Sequence, residues 1–173
     1  MSLEEAIRLL ASATLPTDFP QQWADLGCGS GLFSQALASF LPSGSRIFCV
    51  DKERQTLRSS AEGEVTLEFL QRDFVRQPLL WTDLEGVLMA NSLHYVHNQA
   101  AFLRRTQAHL TPQGHFLLVE YDTEHANRWV PYPLSFARLE KLADQLGFAQ
   151  VNKLAEHPSI YGHSAMYACE LIP

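Results

Sequence analysis

One short cluster of glycines decides most of what this chain can become. Gln22 to Leu26 is a brief strand-forming run, and it enters Gly27-Cys28-Gly29-Ser30-Gly31 ahead of a helical stripe of Phe33, Ala36, Leu37 and Phe40. Without a Cβ, glycine lets a backbone turn sharply out of a strand and lie against a ligand. The helix start beyond it presents unpaired N–H groups and a positive dipole end, which suit a carboxylate or a phosphate. A plain strand-to-helix turn uses the same chemistry, so the neighbours must decide. Asp25 stands just before the loop, and Asp51 closes the next β-rich run, Arg46 to Val50. There it can accept hydrogen bonds from two vicinal ribose hydroxyls. Asp73 closes an alternating run through Val65, Leu67 and Phe69, with Phe74 beside it as an aromatic face for a purine.

The rest of the chain repeats the strand-then-helix rhythm. Ser2 and Glu5 read as a capping box for a first helix within residues 1–15 that stops near Pro16. A helix is expected from Glu53 to Ser60, a buried strand from Gly86 to Ala90, and a helix from an Asn98 cap to His109. Leu110-Thr111-Pro112-Gln113-Gly114 is turn chemistry before a strand from His115 to Glu120. A loop over 121–133 follows, then a helix through Phe136, Leu139, Leu142, Ala143 and Leu146 that Gly147 ends. Runs around Val151 and from Ser164 to Leu171 close the chain as an antiparallel hairpin. Alternation of this kind predicts a doubly wound α/β fold on a mostly parallel sheet. At 173 residues it is one domain spanning 1–173.

Composition excludes several partners. Thirteen basic residues against nineteen acidic ones leave a net charge of −6, which argues against a nucleic-acid backbone as ligand. No apolar run approaches the ~20 residues of a membrane span. Met1-Ser2-Leu3-Glu4-Glu5 lacks the basic start of an export signal, and three scattered cysteines make no disulfide framework. A reducing, cytoplasmic setting is expected. His97, His109, His125, His157 and His163 have no metal-like spacing with carboxylates, so no metal is expected.

Taken in order, these pieces resemble the Rossmann-like methyltransferases that use S-adenosylmethionine, in their small-molecule branch. Trp23-Ala24-Asp25-Leu26-Gly27-Cys28-Gly29-Ser30-Gly31 looks like the family's first motif, Val50-Asp51 the second and Gln71-Arg72-Asp73-Phe74 the third. Met89-Ala90-Asn91-Ser92-Leu93-His94-Tyr95-Val96 is similar to the fourth, and Leu110 to Gly114 with Phe116 to Glu120 resembles the region around the fifth strand. Leu146-Gly147-Phe148 resembles the turn before the closing antiparallel pair. The resemblance implies a seven-stranded sheet and assigns a role to each matched residue. Asp25, Gly27, Cys28, Gly29 and Gly31 would hold the methionine end of the cofactor, and Asp51 with Lys52 beside it the ribose. Asp73 would read the adenine amino group with Phe74 against the ring, and Asn91 would lie under the sulfonium.

A nicotinamide-dependent oxidoreductase is the rival enzyme reading. Its fingerprint places a third glycine five residues after the first. Position 32 is leucine, and Gly31 stands one place early, so the spacing favours the methyl donor. A module that holds the cofactor or a partner without catalysis is the other reading, and these residues leave it open.

In an open α/β sheet, the acceptor meets the carboxyl ends of the strands. That places His94, Tyr95, Tyr121, Arg128, Trp129 and Tyr132 near it, with His94 as base or acceptor-orienting group and 121–133 as a substrate lid. The plainer alternatives are a histidine bonded to a loop backbone and a hydrophobic plug over the sheet edge. Asn91-Ser92-Leu93-His94 is not the Asn-Pro-Pro-aromatic run of enzymes that methylate exocyclic nitrogens, and no Pro-Cys pair is present. A small-molecule acceptor is therefore expected. Oxygen, nitrogen, sulfur and carbon nucleophiles fit these residues equally, and the chain is expected to act as a monomer or homodimer.

Overall fold

The computed structural model describes residues 1–57, 64–158 and 165–173. Seven strands form one sheet in the order β3-β2-β1-β4-β5-β7-β6. They are β1 (Gln22–Leu26), β2 (Arg46–Asp51), β3 (Thr66–Gln71), β4 (Leu84–Ala90), β5 (Leu110–Tyr121), β6 (Gln150–His157) and β7 (Met166–Ile172). All neighbours run parallel except β7, which is antiparallel to both β5 and β6. The chain winds outward from β1 through β2 to β3, then returns to β4 on the other side of β1. That reversal makes β1 and β4 the switch point, the place beyond whose strand ends open α/β sheets generally bind their ligands.

Helices cover both faces, as a sheet of mostly parallel strands requires. Ala6, Leu9 and Leu10 of α1 (Leu3–Leu10) and Phe33, Ala36 and Leu37 of α2 (Leu32–Ala38) pack on Trp23, Ile47, Leu88 and Leu117. On the other face, Phe102 and Leu103 of α3 (Gln99–Gln107) and Leu139 and Ala143 of α4 (Phe136–Leu146) pack on Leu26, Val87, Met89, Phe116 and Leu118. The local signals act as expected at several ends. Ser2 and Glu5 close a reciprocal capping box, Asn98 caps Ala101, and Gly147 ends α4 in the left-handed region at φ 79°.

Three segments differ from the sequence expectation. The first helix ends at Leu10 rather than near Pro16, because the N–H and hydroxyl of Thr14 are taken by Glu170 instead of a further helical turn. Residues 52–57 are irregular, since the Glu53 N–H turns back to Asp51 Oδ1, and the remainder of the expected Glu53–Ser60 helix lies outside the described residues. Leu110 to Gly114 belongs to β5, not to a separate turn. The register jumps from Leu84 opposite Leu110 to Gly86 opposite His115, so the turn residues are accommodated as a wide bulge inside the strand.

Candidate active site at the switch point

The glycine loop folds back over the end of β2. The N–H groups of Gly27 and Cys28 both donate to the Val50 carbonyl, at 2.8 and 3.1 Å, and Gly31 N–H donates to Cys28. Gly27 sits at φ 87°, and a Cβ there would stand 2.4 Å from Ser92 Cβ, so β1 and β4 exits touch only because the side chain is missing. Ser92 locks the same contact by donating its hydroxyl to the Leu26 carbonyl at 2.5 Å. Gly29 is different: at φ 50°, a Cβ on it would meet nothing within 4 Å.

Asp25 lies near the end of β1, Asp51 closes β2 against Gly29, and Asn91 follows β4. Asp51 accepts Gly29 N–H on Oδ2 at 3.0 Å and Glu53 N–H on Oδ1 at 2.9 Å, so its carboxylate braces the loop. Lys52 beside it is exposed, and its carbonyl accepts from the Gln71 amide. Asp25 is buried beneath the loop, where Ser34 donates to Oδ2 at 2.5 Å and Oδ1 has no partner. Burial pushes its carboxyl up to about 7 against the Ser34 hydrogen bond, and the nearby Asp51 charge pushes the same way. Cys28 has its thiol pushed up by its hydrogen bond to Cys49 and by burial, so it stays protonated. Asn91 takes the left-handed conformation at φ 52°, donates its N–H to Val119, and leaves Oδ1 buried without a partner. Buried polar atoms are nearly always paired, so the unpartnered Asp25 Oδ1 and Asn91 Oδ1 at the exits of β1 and β4 stand out.

The third motif is placed less simply. Asp73 Oδ1 accepts from the N–H groups of Val75 and Arg76, and Oδ2 lies 3.6 Å from the Arg76 guanidinium. Its carboxylate thus shapes its own turn. Phe74 points inward, ring against ring with Phe102 at 5.8 Å, so the face expected for a purine is packed in the core. Only the edge of its ring nears the position of a Gly27 Cβ, at 3.5 Å.

Beyond β4, a single 3-10 turn (Leu93–Tyr95) carries His94 into the interior, where it is 1% exposed. Its Nδ1 lies 2.6 Å from Glu120 Oε2, and its backbone N–H donates to Glu120 Oε1 at 3.1 Å. The rings of Tyr95 and Tyr121 lie 4.4 and 6.1 Å from the imidazole. Tyr132 N–H donates to the His94 carbonyl at 3.0 Å, and Gln99 holds the Tyr132 carbonyl at 2.9 Å. Sequence reasoning missed both Gln99 and Glu120. A lone acid ending the all-apolar run Phe116 to Val119 was the available signal for the second.

The loop over 121–133 divides its work. Val130 and the following Leu134 are buried, while Tyr132 is exposed and Trp129 is 71% exposed. The Asn127 carboxamide accepts from the N–H groups of Trp129 and Val130, which presents Arg128 stacked on the Trp129 ring at 5.5 Å. The structure therefore gathers Asp25, the glycines, Asp51 and Asn91 at one place and His94, Tyr95, Tyr121 and Tyr132 next to it. Arg128 and Trp129 stand away at the loop tip.

A second histidine–glutamate pair, His115 of β5 and Glu170 of β7, lies at the far end of the sheet. His115 Nε2 is 3.3 Å from Glu170 Oε1, without hydrogen-bond geometry, and burial lowers the imidazole's tendency to take a proton. Glu170 is further held by Thr14 and Asn152.

The methyltransferase-domain family matches residues 24–118, more than half of the chain. No curated protein sequence matches. Among solved structures, the 1,6-didemethyltoxoflavin-N1-methyltransferase of Burkholderia thailandensis is 18% identical with a TM-score of 0.71, covering 98% of this chain and 76% of its own. Magnesium protoporphyrin IX methyltransferase of Synechocystis is 17% identical with a TM-score of 0.62, covering 99% and 78%. Phosphoethanolamine N-methyltransferase 2 of Haemonchus contortus is 13% identical with a TM-score of 0.71; the chain is covered to 98% but spans only 52% of that protein. At these identities the likeness is one of fold, and the family match carries the assignment: the chain belongs to the Rossmann-like methyltransferases, whose methyl donor is S-adenosylmethionine.

Proposed function

We propose that this chain transfers a methyl group from S-adenosylmethionine to a small-molecule acceptor. The observation that supports it most is the pair of orphaned buried oxygens, Asp25 Oδ1 near the end of β1 and Asn91 Oδ1 just past β4, the two strands that meet at the switch point. Such a site suits a ligand that brings N–H donors and positive charge. Asp25 and the loop Gly27, Cys28, Gly29 and Gly31 would receive the amino acid end of the cofactor. Asp51, with Lys52 outside it, would take the ribose hydroxyls, and Asp73 Oδ2 the adenine amino group. Phe74 would back that wall from the core. Asn91 would face the reacting centre.

When bound, the cofactor supplies an activated methyl on a sulfonium, displaced in line. The protein's part is to hold the acceptor in line with it and to keep water away, and that positioning supplies most of the acceleration. Tyr95, Tyr121 and Tyr132 would wall the acceptor, with Arg128 and Trp129 closing over it, and His94 would orient it or take its proton. The Burkholderia protein holds 1,6-didemethyltoxoflavin with S-adenosylhomocysteine, and the Haemonchus protein holds phosphomonomethylethanolamine with S-adenosylhomocysteine. Acceptors of that size, together with a net charge of −6, support a small molecule rather than a nucleic acid.

The test begins with ligand stabilisation. S-adenosylhomocysteine at about 100 times its Kd should stabilise the fold by roughly 2.7 kcal/mol, a rise in Tm of about 5–10 °C for a chain of this size. NAD should give no shift, and the reverse pattern would overturn the cofactor. Isotope-labelled methyl donor incubated with a metabolite extract should then yield a labelled product. Binding without any transfer would leave a cofactor-holding module.

A further inference from the structure

A groove of about 390 Å³ runs between the start of α3 and the side of α4, a volume in the range of small-molecule sites. Leu134, Leu142 and Ala100 form its apolar wall, and Arg138, Lys141 and His97 bring nitrogen donors to it. Among the described residues, no carboxylate lines it. On a chain with a net charge of −6, that is a local reversal of sign. The two helices account for it. Arg138, Lys141 and Gln145 are spaced three and four apart on one side of α4, while its acids, Glu140 and Asp144, fall on another. α3 contains no acid at all. Arg138 donates to the Pro133 carbonyl at 2.9 Å, which orients its guanidinium, and no ion pair among the described residues neutralises Arg138 or Lys141. The backbone of α3 adds donors. The Asn98 side chain takes the N–H of Ala101 and its carbonyl that of Phe102, which leaves the N–H groups of Gln99 and Ala100 without an acceptor among the described residues. Both residues line the groove.

We propose that this groove binds the phosphate group of a small phosphomonoester, held between Arg138, Lys141 and the first turn of α3. A phosphomonoester carries close to two negative charges near neutral pH and three strong acceptor oxygens. That gives one oxygen to each of the three sets of donors, whereas a carboxylate has only two. The organic part of the ligand lies on Leu134 and Leu142, which inorganic phosphate would leave bare. The groove is separate from the candidate active site, since neither the glycine loop nor His94 lines it. It reaches the acceptor wall through one residue. His97 meets the Tyr132 ring edge-on at 4.9 Å, and Gln99 holds the Tyr132 carbonyl at 2.9 Å. A ligand against His97 and Gln99 therefore braces Tyr132, so occupancy of the groove steadies the wall that faces the acceptor. Only that consequence rests on the function proposed above; the binding itself does not.

The test needs neither methyl donor nor acceptor. Nitrogen–proton correlation spectra of the ¹⁵N-labelled full chain are followed while glycerol 3-phosphate or inorganic phosphate is added, with sodium chloride at matched ionic strength as the control. Glycerol 3-phosphate should shift the backbone signals of Gln99 and Ala100 and the guanidinium signal of Arg138, and should do so at lower concentration than inorganic phosphate. With Arg138→Gln and Lys141→Gln combined, its affinity should fall roughly tenfold. Shifts that sodium chloride reproduces, or that the double variant leaves unaltered, overturn the site. Equal affinity for inorganic phosphate overturns the organic ligand. If the double variant does not fold, Lys141→Gln alone makes the same comparison at an exposed side chain. A chain that shows these shifts but fails to bind S-adenosylhomocysteine loses the cofactor reading and keeps this site.

Discussion

An alanine at Gly27 and an alanine at Gly29 enter the same loop and meet different things. At Gly27, the new methyl group stands 2.4 Å from Ser92 Cβ on a backbone at φ 87°. Left-handed strain of about 1–2 kcal/mol and overpacking of about 1–3 kcal/mol add up to a serious loss of stability. At Gly29 the strain remains, yet the methyl group points into open space. Gly29→Ala should therefore unfold in urea only about 1–2 kcal/mol earlier than the native chain, while its affinity for S-adenosylhomocysteine, by calorimetry, falls at least tenfold. Native affinity in Gly29→Ala would mean that the ligand does not lie against the loop. Residues of this kind were legible because their chemistry is local: a glycine cluster, an acid closing a strand. Glu120 was not, because its meaning depends on a histidine 26 positions away that a strand and a helix bring beside it. The edge-on contact of Phe74 with Phe102 was hidden for the same reason, since its partner belongs to another element.

The loop after β5 was read as either a lid or a plug, and its residues divide between buried and exposed. Leu134 and Val130 face the core, whereas Trp129 is 71% exposed and has Arg128 against its ring. Trp129→Ala should accordingly leave Tm within about 2 °C, as expected of an exposed side chain. It should keep S-adenosylhomocysteine affinity within about threefold and slow transfer to the acceptor by roughly ten- to a hundred-fold. A sharp fall in Tm with unchanged transfer would return Trp129 to the role of a plug. Elements whose ends depend on neighbouring residues were placed well from sequence: β1 from Gln22 to Leu26, and α4 with its glycine stop. Those whose ends depend on distant partners were not. Thr14 leaves the first helix to reach Glu170, 156 positions away, and Leu110 to Gly114 joins a strand only because β4 pairs across it.

Across the whole molecule, buried titratable groups at opposite ends of the sheet set opposing pH slopes. Asp25 loses its proton near pH 3.8 when unfolded and near 7 when folded. Between those values the folded chain holds a proton that the unfolded chain has released, so Asp25's contribution is full near pH 4, falls as pH rises, and is constant above about 7. His115 is lowered by burial, so the unfolded chain gains a proton that the folded chain resists. Its contribution is present above about pH 6.5 and is lost as pH falls. Urea unfolding at pH 5, 6 and 7 should show a shallow dependence in the native chain. Stability should rise with pH in Asp25→Asn, where only the histidine slope is left, and fall with pH in His115→Gln. An identical profile in Asp25→Asn would show that Asp25 is ionised in the fold. The bulge in β5 has a consequence of another sort, for how such a chain can change over time. Pro112 and Gln113 are exposed inside a strand whose pairing resumes at His115, at the end of the sheet away from the glycine loop. Residues can be gained or lost there without shifting the strand beyond it, so the length of this segment is free to drift while the chemistry at the other end stays put.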